Sequence, residues 1–226
     1  EPDTETAAYL TQLRSAWAEV RDSLEGRPME PRAWTFSGTR PANYPTRRMA
    51  GISRLLEKAA ESGGLIPAIE HALRRAPAAP SRRVARSPAA KAVIELLTGV
   101  ADEYWSWRTT FGGKKLRSKT KLFGANRAAI MFVDAIVPIV LAAARAREDR
   151  DFENRLHRAY ATLPKLPANS VLRFMASRIF GGEVPADEVI TSARRQQGLL
   201  QLFRDYCENN SQGCRRCAFA EALEAG

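Results

Sequence analysis

Apolar residues recur at spacings of three and four along most of this chain, a periodicity that predicts helices rather than strands. Leu10, Leu13, Trp17, Val20 and Leu24 mark one face of a first helix over 4–24. Pro28, Pro31, Gly38, Pro41 and Pro45 punctuate the linker that follows. Pro45 suits the first turn of a second helix over 45–61, where its missing N–H is not needed. That helix is expected to bury Met49, Ile52, Leu55, Leu56 and Ala59 on one arc and to stop at Gly63-Gly64. A third helix follows over 65–75. Three prolines, several alanines and Arg82, Arg83 and Arg86 make 76–88 read as a mobile basic loop. Val93, Ile94, Leu97, Val100 and Tyr104 predict a helix over 89–107, stopped by Gly112-Gly113. From Leu122 to Ala146 the chain is apolar around nearly the whole helical circumference, which predicts a buried central helix kinked at Pro138. Asp134 within that run argues against a membrane span, because an acid near the centre of a spanning helix costs about 3 kcal/mol. Shorter helices are expected over 152–163, 170–180 and 185–206. Period-two alternation and fixed-period repeats are both missing from the sequence, so the predicted fold is all-α, an irregular helical bundle around the central apolar helix. Its expected organisation is an N-terminal helix and linker over 1–30 and a helical domain over 31–226 that ends in a cysteine cluster.

Length and composition fit a folded chain with a sizeable core: 226 residues, 45% hydrophobic and 27% charged. Charge adds a partner class. The net charge is +10, and its distribution is uneven. Residues 1–30 carry seven acids against three arginines, whereas 31–58 carry six bases against one acid and 82–121 carry ten bases against three acids. Arg40, Arg47, Arg48, Lys114, Lys115, Arg117, Lys119 and Lys121 are therefore the candidate anion-binding residues, with DNA or RNA as the candidate partner. Trp105, Trp107 and Phe111 lie beside the second basic segment and could stack on bases or pack in the core. On a helical wheel Arg47, Arg54 and Lys58 share one face, while Arg48 falls near the apolar arc. Arg48 there is expected either to pair with an internal acid, Asp134 being the obvious one, or to snorkel outward from the first turn, or to present its guanidinium to phosphate or to a carboxylate on another domain.

Catalytic signals are missing. The chain has no glycine-rich phosphate loop, no Gly-x-Ser-x-Gly elbow and no His-Glu-x-x-His. His71 and His157 are isolated, and the acid pairs Asp102-Glu103 and Glu148-Asp149 read as solvated faces.

Cys207, Cys214 and Cys217 stand within eleven residues of one another, a spacing that can bring soft ligands to one ion, zinc or an iron–sulfur cluster. The spacing resembles the first three cysteines of the iron–sulfur loop of the endonuclease III family, but Leu223 occupies the fourth position. A fourth ligand would have to come from Asp205, Glu221, a distant histidine or another segment. Arg215, Arg216 and a helix start are expected to favour the thiolates. Free thiols or a Cys207–Cys214 disulfide are the alternatives. With so few cysteines and no signal peptide, a reducing cytoplasm is the expected compartment.

Trp34, the run Arg40-Pro-Ala-Asn-Tyr-Pro-Thr-Arg-Arg-Met-Ala50, Leu122-Phe-Gly through Asp134-Ala-Ile-Val-Pro138, Arg194-Arg-Gln-Gln-Gly-Leu-Leu200 and the three cysteines together carry a resemblance. The chain resembles the C-terminal half of a bacterial family catalogued as a domain of unknown function. The resemblance implies relatives with a further N-terminal half, whose Gly-Pro-Asp-Phe and Glu-Ile-His pattern looks like the acidic metal site of restriction-type nucleases. It implies that this chain serves such a half, which is then its partner. Two functions follow: a nucleic-acid-binding or accessory helical domain, or a helical interaction module whose positive charge is a solvated surface.

Overall fold

The computed structural model describes residues 3–24, 26, 29–77, 88–181, 185–210 and 213–224. Among them the fold is all-α, with no strand beyond an isolated bridge between Pro164 and Ser192. The basic loop read over 76–88 falls mostly outside the described residues. The helices are α1 (Thr4–Val20), α2 (Pro45–Ala60), α3 (Leu65–Arg75), α4 (Pro88–Thr98), α5 (Ala125–Met131), α6 (Val137–Ala146), α7 (Arg150–Ala161), α8 (Ser170–Phe180), α9 (Ala186–Val189), α10 (Ala193–Tyr206) and α11 (Ala218–Glu224). Contacts divide the chain into two compact units, one of residues 1–69 with 95–125 and one of 70–94 with 126–226. Helices α1 and α2 both fall in the first of these units.

Caps explain the helix starts. Asp3, Asn169 and Ser192 each accept a hydrogen bond from the backbone N–H three residues on, which satisfies one of the donors that a first turn leaves unpaired. Asp149 does the same for α7, so this acid is a cap rather than part of a solvated face. Ser192 also explains why the helix expected over 185–206 is two: the cap starts α10 afresh after α9 ends at Val189.

In the first unit the helix expected over 89–107 ends at Thr98. Beyond Gly99 the Asp102 carboxylate accepts from the backbone N–H groups of Tyr104 at 2.9 Å and Trp105 at 2.7 Å. Such local side-chain bonds offer the backbone an alternative to the helical ladder, and residues 99–124 form an irregular segment instead. The apolar faces are also redistributed. Helix α1 exposes Leu13, Trp17 and Val20, with Trp17 51% exposed, and buries only Thr6. Helix α2 buries Arg47, Gly51, Leu55 and Ala59, while Met49, Ile52 and Leu56 face outward. Gly51 is what lets the Phe123 ring approach: a Cβ there would lie 2.6 Å from Phe123 Cζ.

In the second unit α6 packs on α7, and α10 on both α7 and α8. The apolar run Ala125–Ala146 is 22 residues long and contains an 18-residue stretch of mean hydropathy 2.0, long and apolar enough to cross a membrane by length and composition. It is not buried all round. Ala128, Phe132, Val133, Ile136, Val137, Val140 and Ala144 are buried, and Asp134, Pro138 and Ile139 are exposed. Around Pro138 the helix widens to a π turn over Phe132–Ile136, closed by the Val137 N–H donating to Phe132 O. Proline has no N–H to continue the α ladder, and a single wide turn absorbs the mismatch. A second cluster centres on Leu172, Met175 and Leu199.

Candidate functional site

The first unit's chemistry gathers on the irregular segment after α4. Asp102, read from sequence as solvated, is buried and saturated. Besides its two backbone bonds it accepts from Arg54 Nε at 2.9 Å, and its own N–H donates to Ser106 Oγ at 3.0 Å. The missed signal was Asp102-x-Tyr104-Trp105, an aspartate two and three residues ahead of amides it can bind. Arg108 is also buried. It donates to Glu5 at 2.6 Å and Asp3 at 2.9 Å and lies 4.8 Å over the Tyr104 ring. These bonds clamp the start of α1, helped by Thr6 Oγ1 against Tyr104 Oη at 2.9 Å and by Tyr9, which stacks on Tyr104 at 4.5 Å. Asp3 is held below the usual carboxylate range by the Thr6 N–H and then by Arg108. Glu5 is lowered by Lys115 and then by Arg108. Trp105 and Phe111 belong to this aromatic cluster, and Trp105 is buried, so it is not a stacking platform for bases.

Arg47 is the largest departure from the sequence reading. It is 4% exposed and so cannot touch an anion in solution. Its Nε donates to the carbonyls of Trp105 and Arg108, each at 3.2 Å. Its Nη1 reaches Ala42 O at 3.4 Å, and its Nη2 reaches Thr120 Oγ1 at 2.9 Å and Lys121 O at 3.1 Å. None of these acceptors is a carboxylate, and burial pushes the guanidinium below its ordinary pKa. Arg47 therefore ties the Pro41–Asn43 turn, which follows Arg40, to the end of the basic loop. Arg40 is exposed and Arg48 is half-buried.

The basic loop is anchored at its backbone. Leu116 N–H donates to Trp107 O at 2.7 Å and Thr120 N–H to Ser106 O at 2.8 Å. Its cations point outward: Lys114, Lys115, Arg117, Lys119 and Lys121 are all exposed. Lys115 and Lys119 lie 5.5 and 5.8 Å from the half-buried Trp107 ring and pair with Glu5 and Glu103. Lys114, Arg117 and Lys121 make no ion pair among the described residues.

In the second unit the motif residues are structural. Gln196 is buried and bonds both backbone groups of Leu166, accepting from its N–H at 2.7 Å and donating to its O at 2.8 Å. Gln197 donates to Asp134 at 3.1 Å. His157 is half exposed beside Glu153 at 3.6 Å, and His71 lies against Arg75 at 3.4 Å. The three cysteines line one cavity of about 410 Å³ together with Met175 and Arg178. Cys217 is buried, Cys207 half-buried and Cys214 exposed. Among the described residues, no three His, Cys, Asp or Glu side chains group to hold a metal ion. Burial, and then the neighbouring sulfurs of Cys217 and Cys214, push the Cys207 thiol up, opposite to the lowered thiols expected of this cluster.

The fold and these sites define an all-α protein with a clamped N-terminal helix and a cationic loop pinned at its backbone. The chain belongs to the family described as a protein of unknown function, DUF2851, whose model matches residues 2–169. The match ends before α8 and the cysteines. Neither a curated protein nor a solved structure matches the chain.

Proposed function

We propose that the first unit is a nucleic-acid-binding accessory module that grips the phosphate backbone with the loop from Lys114 to Lys121 and with Arg40. The observation that carries this reading is the bonding of Arg47, which draws the turn after Arg40 and the end of the basic loop around one guanidinium. Two segments distant in sequence thereby contribute cations to one region, and an anchored loop loses little entropy when it binds. Arg47 adds its charge to that region without reaching the ligand. Recognition of this kind is electrostatic and largely independent of base sequence. The test is fluorescence anisotropy with labelled single-stranded DNA, duplex DNA and RNA across a salt series. Binding should weaken with log salt at a slope of about 0.7–0.9 per phosphate contact. Undetectable binding to all three at low salt overturns the reading.

A second reading, a protein-interaction module, is favoured by one specific observation. Leu13, Trp34, Phe36 and Met49 line an open groove of about 710 Å³ in the first unit, beside the exposed Trp17 and Val20 of α1. The occupant this reading names is the N-terminal half that the family resemblance implies. Copurification of that half with this chain, abolished by Trp17→Asp and Met49→Asp, would favour it.

A further inference from the structure

The second unit carries sulfur chemistry that phosphate binding by the first does not use. Four sulfurs line its cavity, those of Met175, Cys207, Cys214 and Cys217, and among the described lining residues there is no histidine and no carboxylate. The thiols are not equivalent. Cys214 is exposed, and Arg178 Nη2 donates to its Sγ at 3.2 Å. Cys217 is buried three residues further on. Cys214 stands in a 3-10 turn over Gly213–Arg216, and Cys217 follows that turn directly. Only two residues separate Cys214 from Cys217, and both line the same cavity, which places the two thiols at one site. Cys207 neighbours both of these sulfurs, but its S–H is directed to Met175 Sδ at 3.9 Å.

We propose that Cys214 and Cys217 form a peroxide-responsive thiol pair, with Cys214 the attacking sulfur, Cys217 the resolving one and Arg178 the positioning cation. In the first step the Cys214 sulfur attacks one oxygen of hydrogen peroxide and the O–O bond breaks. The sulfur is oxidised to sulfenic acid, and the second oxygen leaves as water with the thiol proton. In the second step the Cys217 sulfur attacks the Cys214 sulfur, the S–S bond forms, the S–O bond breaks, and the hydroxyl leaves as water with the proton of Cys217. Two thiols and one peroxide thus give one disulfide and two waters. Arg178 stands where an N–H can be offered to the departing oxygen, and it loses its sulfur partner once the disulfide closes. The exposure of Cys214 and the shelter of Cys217 set the order of the two steps.

The test treats the reduced full chain with one equivalent of hydrogen peroxide and follows intact mass and non-reduced tryptic peptides. Trypsin cuts at Arg215 and Arg216, so a disulfide to Cys217 holds two peptides together, and because Cys207 and Cys214 share the peptide 205–215, fragmentation of the linked pair identifies which of the two is bonded. The expected result is a loss of about 2 Da and a Cys214–Cys217 linked pair. Cys217→Ser should leave a sulfenic acid at Cys214 that dimedone traps, Cys207→Ser should leave the linked pair intact, and Arg178→Met should slow oxidation several-fold. The wild-type peptide map needs no variant, so it stands even if Cys217→Ser does not fold. A disulfide that includes Cys207, oxidation unchanged in Cys214→Ser, or stoichiometric zinc or iron that protects all three thiols would each overturn the proposal.

Discussion

Replacing Arg47 with methionine tests whether this arginine is a latch or a ligand contact. Methionine keeps much of the aliphatic stem and removes every donor. The carbonyls of Trp105, Arg108 and Lys121, now at 3.1–3.2 Å from the guanidinium, lose that partner. A buried acceptor left unpaired costs about 1–3 kcal/mol. Two effects work against the sum: water can reach the partly exposed Lys121 carbonyl, and the folded state no longer buries a cation. A net loss of about 3 kcal/mol is expected, a large share of the roughly 5–15 kcal/mol that holds a domain folded. All four tryptophans, Trp17, Trp34, Trp105 and Trp107, lie in the first unit, so urea unfolding followed by tryptophan fluorescence reads that unit selectively. Arg47→Lys should recover little, because one ammonium cannot reproduce a planar fork of donors. Stability within about 0.5 kcal/mol of wild type, combined with lost nucleic-acid binding, would refute the latch and restore Arg47 as a ligand contact.

Neutralising Lys114, Arg117 and Lys121 to glutamine should leave the urea midpoint unchanged and reduce the salt slope of nucleic-acid binding by about 2–3 in anisotropy titrations. Gly51→Ala should destabilise the first unit by about 1–3 kcal/mol in the same urea assay, since its Cβ would meet the buried Phe123 ring and the close-packed site has no room to give. The clamp on α1 should be acid-sensitive. Asp3 and Glu5 have folded pKa values below their unfolded ones, so their contribution is complete above about pH 4–5 and is lost as pH falls through the depressed folded values. Near-UV circular dichroism of the Tyr9–Tyr104–Trp105 cluster should therefore change on acidification below about pH 4, and a signal already lost near pH 6 would count against the clamp.

Much of the fold was legible because its determinants are local. The three- and four-residue periodicity marks α1, α2, α3 and α8 wherever the apolar residues end up, since backbone propensity and caps act within a turn or two. Pro45 at a helix start and Asn169 as a cap do their work within their own segments. That Cys207, Cys214 and Cys217 line one cavity depends on the turn after α10 folding back, since ten extended residues could span about 35 Å.

What escaped the sequence was the choice of face and of partner. Periodicity identifies an amphipathic stripe but not what covers it, and the stripe of α1 faces outward while that of α2 turns so that Arg47 points in. A buried arginine is tolerable only where enough oxygens converge on it, and those of Arg47 come from residues 58 to 74 positions away, apart from Ala42. Asp102 broke a helix that its apolar neighbours predicted, because its carboxylate met two amides and the guanidinium of Arg54, which lies 48 residues earlier. The sequence by itself determined the helices and where the positive charge lies. The tertiary structure decided which charges are spent inside the fold and which remain outside, because burying a cation depends on distant carbonyls that no local pattern records.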